Sequence, residues 1–434
     1  MTAAAARRPR VALVAFTAQP GLGSEYEVGW RWALLAARIV RPVVLTRRAC
    51  WDAIPGRARR IGGQWLKRSH GVLFVAVDVP WAPRLFPGRR LMRSHYRVWQ
   101  ALVLGWLLRR RRFFAFVHHV TFVAAWFPPF AAFAGLRFFW GPIGTNPPMP
   151  EFYRARLGRI DRLRAALRTF VTQSLVRYNP LLPLVARRCA GAFAISEHVR
   201  GLLPAAMRKR TRVHPAIGIA RDWIKTTADT SPTRNDTMLF VGRAMDIKLP
   251  RLACRVMRSV IAQRPQTTGV MIGEGLPAML AREPASPGID LREHIAQDRL
   301  RALYRDAGLL LFPSVEASGF VTLEALANGL PVACIEGFGA AAFAGCEGPL
   351  VVPVDGGWDA VHDRLVAAIV AYLDHPATHA AAASQARKRA TVFAWDSYLP
   401  FLEELYSLPC RPATALPALP NSTPGKAHLQ RVKS

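Results

Sequence analysis

The sequence predicts an α/β protein of two Rossmann-like domains, and three observations lead to that expectation. Short apolar runs alternate with helical patterns, a polar segment interrupts the alternation past the midpoint, and the same alternation then resumes. At 434 residues and 48.0 kDa the chain also exceeds the size at which a single core keeps growing.

In chain order, Val11–Thr17, Val43–Thr46, Val72–Val79, Phe114–Val120, Phe138–Ile143 and Ala192–Ser196 read as strands of a first domain, residues 1–225. Residues 226–237 (TTADTSPTRNDT) lack any apolar period and read as a linker. Met238–Val241, Val270–Ile272, Gly308–Phe312, Val332–Ile335 and Val351–Val354 then read as strands of a second domain, 238–390. Residues 391–408, with Phe393-Ala-Trp395 before a helix through Tyr406, follow the second domain, and 409–434, rich in Pro, Ala and Ser, reads as a disordered tail. Doubly wound sheets bind ligands at the carboxyl ends of their strands, so the two domains are expected to face a central cleft.

Hydrophobic residues make up 51% and charged residues 20% of the chain, which excludes a disordered protein. The net charge of +31 comes almost wholly from arginine, because only seven of the 59 basic residues are lysine. Such a field attracts polyanions, whether nucleic acid, an anionic membrane surface or phosphorylated substrates. Cysteines 50, 189, 254, 334, 346 and 410 form no Cys-x-x-Cys pair and no cluster with His. They read as reduced thiols of a cytosolic protein, with no metal site and no cofactor expected. Val11–Phe16 is too short for a signal sequence and reads as the first strand. The longest stretch without Lys, Arg, Asp or Glu, Phe113–Leu136, contains His118, His119, Pro128 and Pro129 and reads as a strand, a loop and a helix.

The most informative segment is Phe312-Pro-Ser-Val-Glu316-Ala-Ser318-Gly319-Phe320-Val321-Thr-Leu-Glu324-Ala-Leu-Ala-Asn-Gly329. A buried strand ends near Phe312, a loop carries Glu316, and a helix over Val321–Asn328, stopped by Gly329 and Pro331, carries Glu324 about one turn in. The free amides at that helix start favour a diphosphate, and Gly319 permits close approach. The two carboxylates would repel phosphate, so ribose and hexose hydroxyls are their expected partners. The segment resembles the Glu-x7-Glu motif of the family-4 retaining glycosyltransferases, which have the GT-B fold.

Two further motifs in the second domain resemble that family's donor site. Met238-Leu-Phe-Val-Gly242-Arg243-Ala-Met-Asp-Ile-Lys248 is a strand followed by a loop with two cations, suited to a diphosphate on which charge grows as the glycosidic bond breaks. Val270-Met-Ile-Gly273-Glu-Gly275 runs into a glycine turn, which taken alone fits any βα unit. The pattern departs from the family at Leu249, where a Gly usually follows the Lys, and at Ala317-Ser318-Gly319-Phe320, where Gly-Phe-Gly is usual.

In the first domain, Gly21-Leu-Gly23-Ser24-Glu25 precedes a helix beginning near Tyr26 with Val28-Gly29-Trp30, similar to the family's glycine-rich loop and equally consistent with structural punctuation. His118 and His119 end a strand, where alternation sends one of them inward. The resemblance implies a histidine reaching the donor sugar, and His119 is the choice. Arg89–Phe114 concentrates cations and aromatics around an apolar centre, which fits an interfacial helix on acidic lipid or an ordinary amphipathic domain helix. Basic runs also occupy Arg154–Arg168 and Arg208–Arg212.

The resemblance implies a metal-independent retaining transferase that moves a sugar from a nucleotide sugar to a glycan or lipid-linked acceptor, in cell-envelope or exopolysaccharide synthesis. It implies Arg243 and Lys248 at the diphosphate, Glu324 at the ribose, Glu316 with Ser318, Gly319, Phe320 and Val321 at sugar and phosphate, His119 at the reacting sugar, and Gly21, Gly23, Gly242 and Gly273 as close-approach positions. It also implies that the closing helix of 391–408 crosses back to pack on the first domain, and a cytoplasmic location, on or off the inner membrane face. The alternatives are a non-catalytic basic protein binding nucleic acid or an anionic surface, and a degenerate transferase acting as a scaffold. No specific nucleic-acid module is recognisable.

Overall fold

A computed structural model describes residues 8–21, 24–61, 63–78, 91–145, 147–224, 235–284, 287–317, 319–346 and 348–406. The expectations for Gly23, Ser318, most of the 226–237 linker and the 409–434 tail lie outside the described residues, as does the side chain of Ser24. The chain forms two compact units, one from 8–145, 171–216 and 398–406, the other from 147–170 and 217–397.

The first unit is built on a nine-stranded sheet. Its strands are β1 (Arg10–Ala15), β2 (Arg41–Thr46), β3 (Ala58–Ile61), β4 (Gln64–Ser69), β5 (Val72–Ala76), β6 (Phe116–Thr121), β7 (Arg137–Ile143), β8 (Cys189–Ala194) and β9 (Thr211–Val213), in the order β3-β4-β5-β2-β1-β6-β7-β8-β9. All pairs are parallel except β3 with β4 and β4 with β5. β1 and β2 are buried at every position after the first, because helices cover both faces of the sheet, and this produces the apolar runs seen in the sequence. The β3–β4 hairpin and β9 escaped sequence reading. The edge strands β3 and β9 need no apolar run, β3 being exposed throughout, and β4, between β3 and β5, has its apolar residues interrupted by Lys67 and Arg68.

The helix Met92–Arg110 buries Tyr96, Trp99, Val103, Trp106 and Leu107 against this sheet. Phe16 meets Tyr96 and Trp99 edge-on, with ring centroids 5.2 Å apart in both cases. The aromatic centre of the Arg89–Phe114 stretch is therefore a domain core, which corrects the interfacial reading of this segment. The helix expected before Leu136 is a single 3-10 turn, Phe130–Phe133.

The second unit holds a six-stranded, wholly parallel sheet. Its strands are β10 (Thr237–Val241), β11 (Thr268–Ile272), β12 (Ile289–Arg292), β13 (Leu309–Leu311), β14 (Val332–Ile335) and β15 (Val351–Val352), ordered β12-β11-β10-β13-β14-β15. The chain winds outward from β10 in both directions, so a topological switch point lies between β10 and β13. Residues 217–224, placed in the first domain by the sequence reading, group with this unit. Ile219 bridges to Ala394, and Arg221 pairs with Asp396. Phe152 and Tyr153 lie against Trp358, which brings 147–170 to the same unit. The helix Leu399–Leu405 belongs to the first unit, where Trp32 stacks on Tyr398 and Tyr406 touches Phe116 and Phe139. Among the described residues no helix is long and apolar enough to cross a membrane.

Candidate active site

The switch point of the second unit gathers most of the second-domain residues singled out from the sequence. Gly242 and Arg243 follow β10, while Phe312 to Glu316 follow β13. Val315 donates its amide to the Ile247 carbonyl at 2.8 Å, which ties the two loops together. Lys248 Nζ lies 2.7 Å from Glu316 Oε2 and 5.1 Å from the centroid of the Phe312 ring. The ammonium and carboxylate are only 12% and 18% exposed, so the pair is poorly screened by water. Ser314 Oγ donates to the same Oε2 at 3.3 Å and accepts the Glu316 amide at 3.2 Å, which orients the carboxylate. Lys248 keeps further N–H donors, and Glu316 keeps its second oxygen.

Two glycines make this geometry possible. A Cβ on Gly273 would lie 2.0 Å from the Gly242 carbonyl oxygen, so the β10 and β11 turns can cross only with glycine there. A Cβ on Gly242 would meet the Lys248 side chain at 2.7 Å, at its Cδ. The departure at Leu249 also has a physical account. This residue has φ 52° and ψ 47°, the left-handed region that glycine enters freely, and caps the helix Pro250–Gln263. Leucine there incurs roughly 1–2 kcal/mol of strain, offset by a side chain that is 1% exposed and contributes about 2 kcal/mol.

Gly319 caps the helix Phe320–Ala327, which opens with Phe320 and Val321, whose amides lack intrahelical acceptors. Glu324 lies inside this helix and accepts a hydrogen bond from the Tyr304 hydroxyl at 3.1 Å. Burial raises its pKa above the ordinary carboxylate value, while Tyr304 and Arg301 oppose the rise. Arg243 is exposed.

In the first unit the loop after β1 and the end of β6 meet at a second switch point, where β1 lies between β2 and β6. Gly21 has φ 85° and donates its amide to Glu27 Oε2 at 3.0 Å. His118 and His119 are both 1% exposed and face opposite sides of the sheet. His118 is satisfied at both nitrogens, 2.7 Å from the Tyr406 hydroxyl and 2.9 Å from the Gly141 carbonyl oxygen. His119 shares one hydrogen bond, 2.8 Å from Nε2 to the Tyr96 hydroxyl, and its buried Nδ1 has no hydrogen-bond partner among the described residues. Desolvation lowers the pKa of His118 to about 4 and of His119 to about 3, so both rings are neutral at pH 7.

Sequence reading did not single out Glu25 as a site residue. It accepts the Val123 amide at 2.8 Å, and burial pushes its pKa up to about 7, against the pull of that bond and of the Arg47 guanidinium. Arg47 in turn donates to the Tyr26 hydroxyl at 2.5 Å and lies 4.7 Å from the Phe16 ring centroid. The signal was in the Gly-Ser-Glu triplet, but its chemistry depended on an amide 98 residues away. Among the described residues no group of at least three His, Cys, Asp or Glu side chains is arranged to hold a metal ion.

Residues 235–374 match the family described as glycosyl transferases group 1. The D-inositol 3-phosphate glycosyltransferase of Thermobispora bispora is 28% identical over 346 residues, covering 74% of this chain and 71% of that protein. The enzyme of the same name from Rhodococcus opacus is 32% identical over 203 residues, a match covering 43% of this chain and 44% of the relative, less than half of its length. The structure of Anabaena HepE in complex with UDP superposes with a TM-score of 0.57 at 16% identity, covering 92% of this chain and 99% of that one. Residues 235–374 thus carry a glycosyl transferases group 1 domain, and the chain is a glycosyltransferase similar to the family-4 enzymes, with the GT-B fold of its structural neighbours.

Proposed function

We propose that the chain transfers a sugar, with retention of configuration, from a nucleoside-diphosphate sugar to a glycan or lipid-linked acceptor in cell-envelope or exopolysaccharide synthesis. The observation that carries this reading is the Lys248–Glu316 pair, held at 2.7 Å beside a helix start at the switch point. Glu316 alone would repel a diphosphate, and its pairing with Lys248 removes most of that repulsion. The remaining Lys248 donors, the Arg243 guanidinium and the Phe320 and Val321 amides stabilise the charge that grows on the leaving diphosphate, and no metal is required. The free oxygen of Glu316 accepts from a sugar hydroxyl, and Glu324 from the ribose. His119, neutral and with Nδ1 unpaired, serves the reacting sugar. The diphosphate leaves as the glycosidic bond breaks and takes the proton of the acceptor hydroxyl, whose oxygen forms the new bond on the same face of the sugar.

Thermal unfolding with UDP, GDP and ADP and their sugar conjugates, with and without magnesium at moderate salt, tests the donor site. UDP heads the panel because HepE holds it. A ligand at 100 times its dissociation constant adds about 2.7 kcal/mol. The expected outcome is stabilisation by one base, independent of magnesium and lost in Glu324→Ala. An equal response to inorganic polyphosphate would instead favour a nonspecific polyanion-binding protein. Diphosphate release over an acceptor panel that includes inositol 3-phosphate, after the named relatives, then separates an active transferase from a scaffold.

A further inference from the structure

The helix Arg159–Arg177 is amphipathic in the wrong sense for a helix of a globular core. Ile160, Leu163, Leu167, Phe170, Val171 and Leu175 are 66%, 69%, 58%, 68%, 43% and 46% exposed. The sides turned inward belong to Ala165, Thr169, Thr172 and Val176, which are partly or fully buried. At the helical pitch the six exposed apolar side chains form a stripe about 140° wide. A stripe of that size on a globular protein marks an interaction surface.

The charges around the stripe indicate its occupant. Five arginines stand in this helix against a single acid, Asp161. Arg159 and Arg177 border one edge of the stripe at helical spacing. Arg164 stands just inside the other edge, between Val171 and Leu175 at helical spacing, and pairs with the exposed Asp161 at 3.1 Å. We propose that the Arg159–Arg177 helix docks the enzyme on an anionic membrane surface, with its apolar stripe in the headgroup boundary and the flanking arginines on acidic lipid headgroups. The helix is too polar to span a bilayer, and an exposed apolar face with cationic borders is the pattern of a helix lying in the interface. Acidic lipid attracts such cations from the aqueous side. A second copy of the chain is disfavoured as the occupant, because it would bring another +31 to the same face.

This inference stands apart from the donor chemistry and has its own test. Vesicle flotation compares phosphatidylcholine alone with a 7:3 mixture of phosphatidylcholine and phosphatidylglycerol, over a salt series. The wild-type chain binds the anionic vesicles and releases them as salt rises. The combined replacement Leu163→Ser, Leu167→Ser and Phe170→Ser preserves the charge, leaves the unfolding temperature and any nucleotide-induced shift in place, and weakens vesicle binding by at least about tenfold. Arg159→Gln with Arg177→Gln weakens binding to the anionic mixture specifically. Unchanged flotation of the serine variant would overturn the proposal, because charge alone would then account for binding. A wild-type dimer in sedimentation that the serine variant disperses would overturn it too, by assigning the stripe to a second copy.

Discussion

Glu25 is a residue whose chemistry is set wholly by its surroundings, and it makes the chain sensitive to pH. Its pKa rises from 4.5 to about 7 on folding, so the folded state holds the proton more tightly. The stability this contributes is present below pH 4.5 and is lost as pH rises through about 7, a change of roughly 3 kcal/mol. His118 and His119, with depressed pKa values, act in the opposite sense, since their contribution is lost as pH falls below 6.5. The difference between Glu25→Gln and wild type isolates the carboxyl. Unfolding temperatures from pH 5 to 8 should show the variant gaining on wild type as pH rises, and parallel curves would refute the assignment. At the ion pair, Lys248→Ala should lower turnover by about 100-fold. Gly242→Ala should do much of the same while the fold persists, because its methyl displaces the lysine stem and not backbone. Normal turnover in Gly242→Ala would mean that the position of Lys248 is not needed.

At the level of elements, the candidate donor site is a crossing of two βα turns. Gly273 sits where the β11 turn passes over the Gly242 carbonyl, so Gly273→Ala must push backbone apart. Overpacking of this kind costs about 3 kcal/mol, which lowers the unfolding temperature by roughly 6–12 °C for a unit of this size. Calorimetry of the two glycine variants should therefore show a large shift for Gly273→Ala and a small one for Gly242→Ala. The helix Ser24–Ala36 uses the same device, since a Cβ on Gly29 would lie 2.0 Å from the Thr17 carbonyl oxygen. The Met92–Arg110 and Arg159–Arg177 helices carry similar arginine-rich, apolar sequences and end in opposite environments. The first meets the hydrophobic face of a sheet, and the second turns its apolar side to solvent.

For the whole molecule, the α/β class, the restart of the pattern after residue 237 and the Lys248, Glu316 and Glu324 constellation could be read from the chain alone. The reason is local: strands buried on both faces must be continuously apolar, and helix starts and glycine turns have their own residue signatures. The first-unit site was legible only in part. The choice between His118 and His119 was open because both faces of the sheet are buried, and the Tyr406 hydroxyl that satisfies His118 lies 288 residues away. The edge strands β3, β9 and β12 were missed because edge positions need no apolar run, and β4, between β3 and β5, because Lys67 and Arg68 interrupt its apolar residues. The sequence by itself determined the architecture and which side chains are candidates for a donor site, because each depends on neighbours in the chain. Only the tertiary structure decided that Glu25 is a buried acid, that Lys248 and Glu316 pair, and which arginine-rich helix keeps its apolar face exposed. Burial, pairing and exposure are properties of what other segments bring to a residue, and no local pattern encodes them.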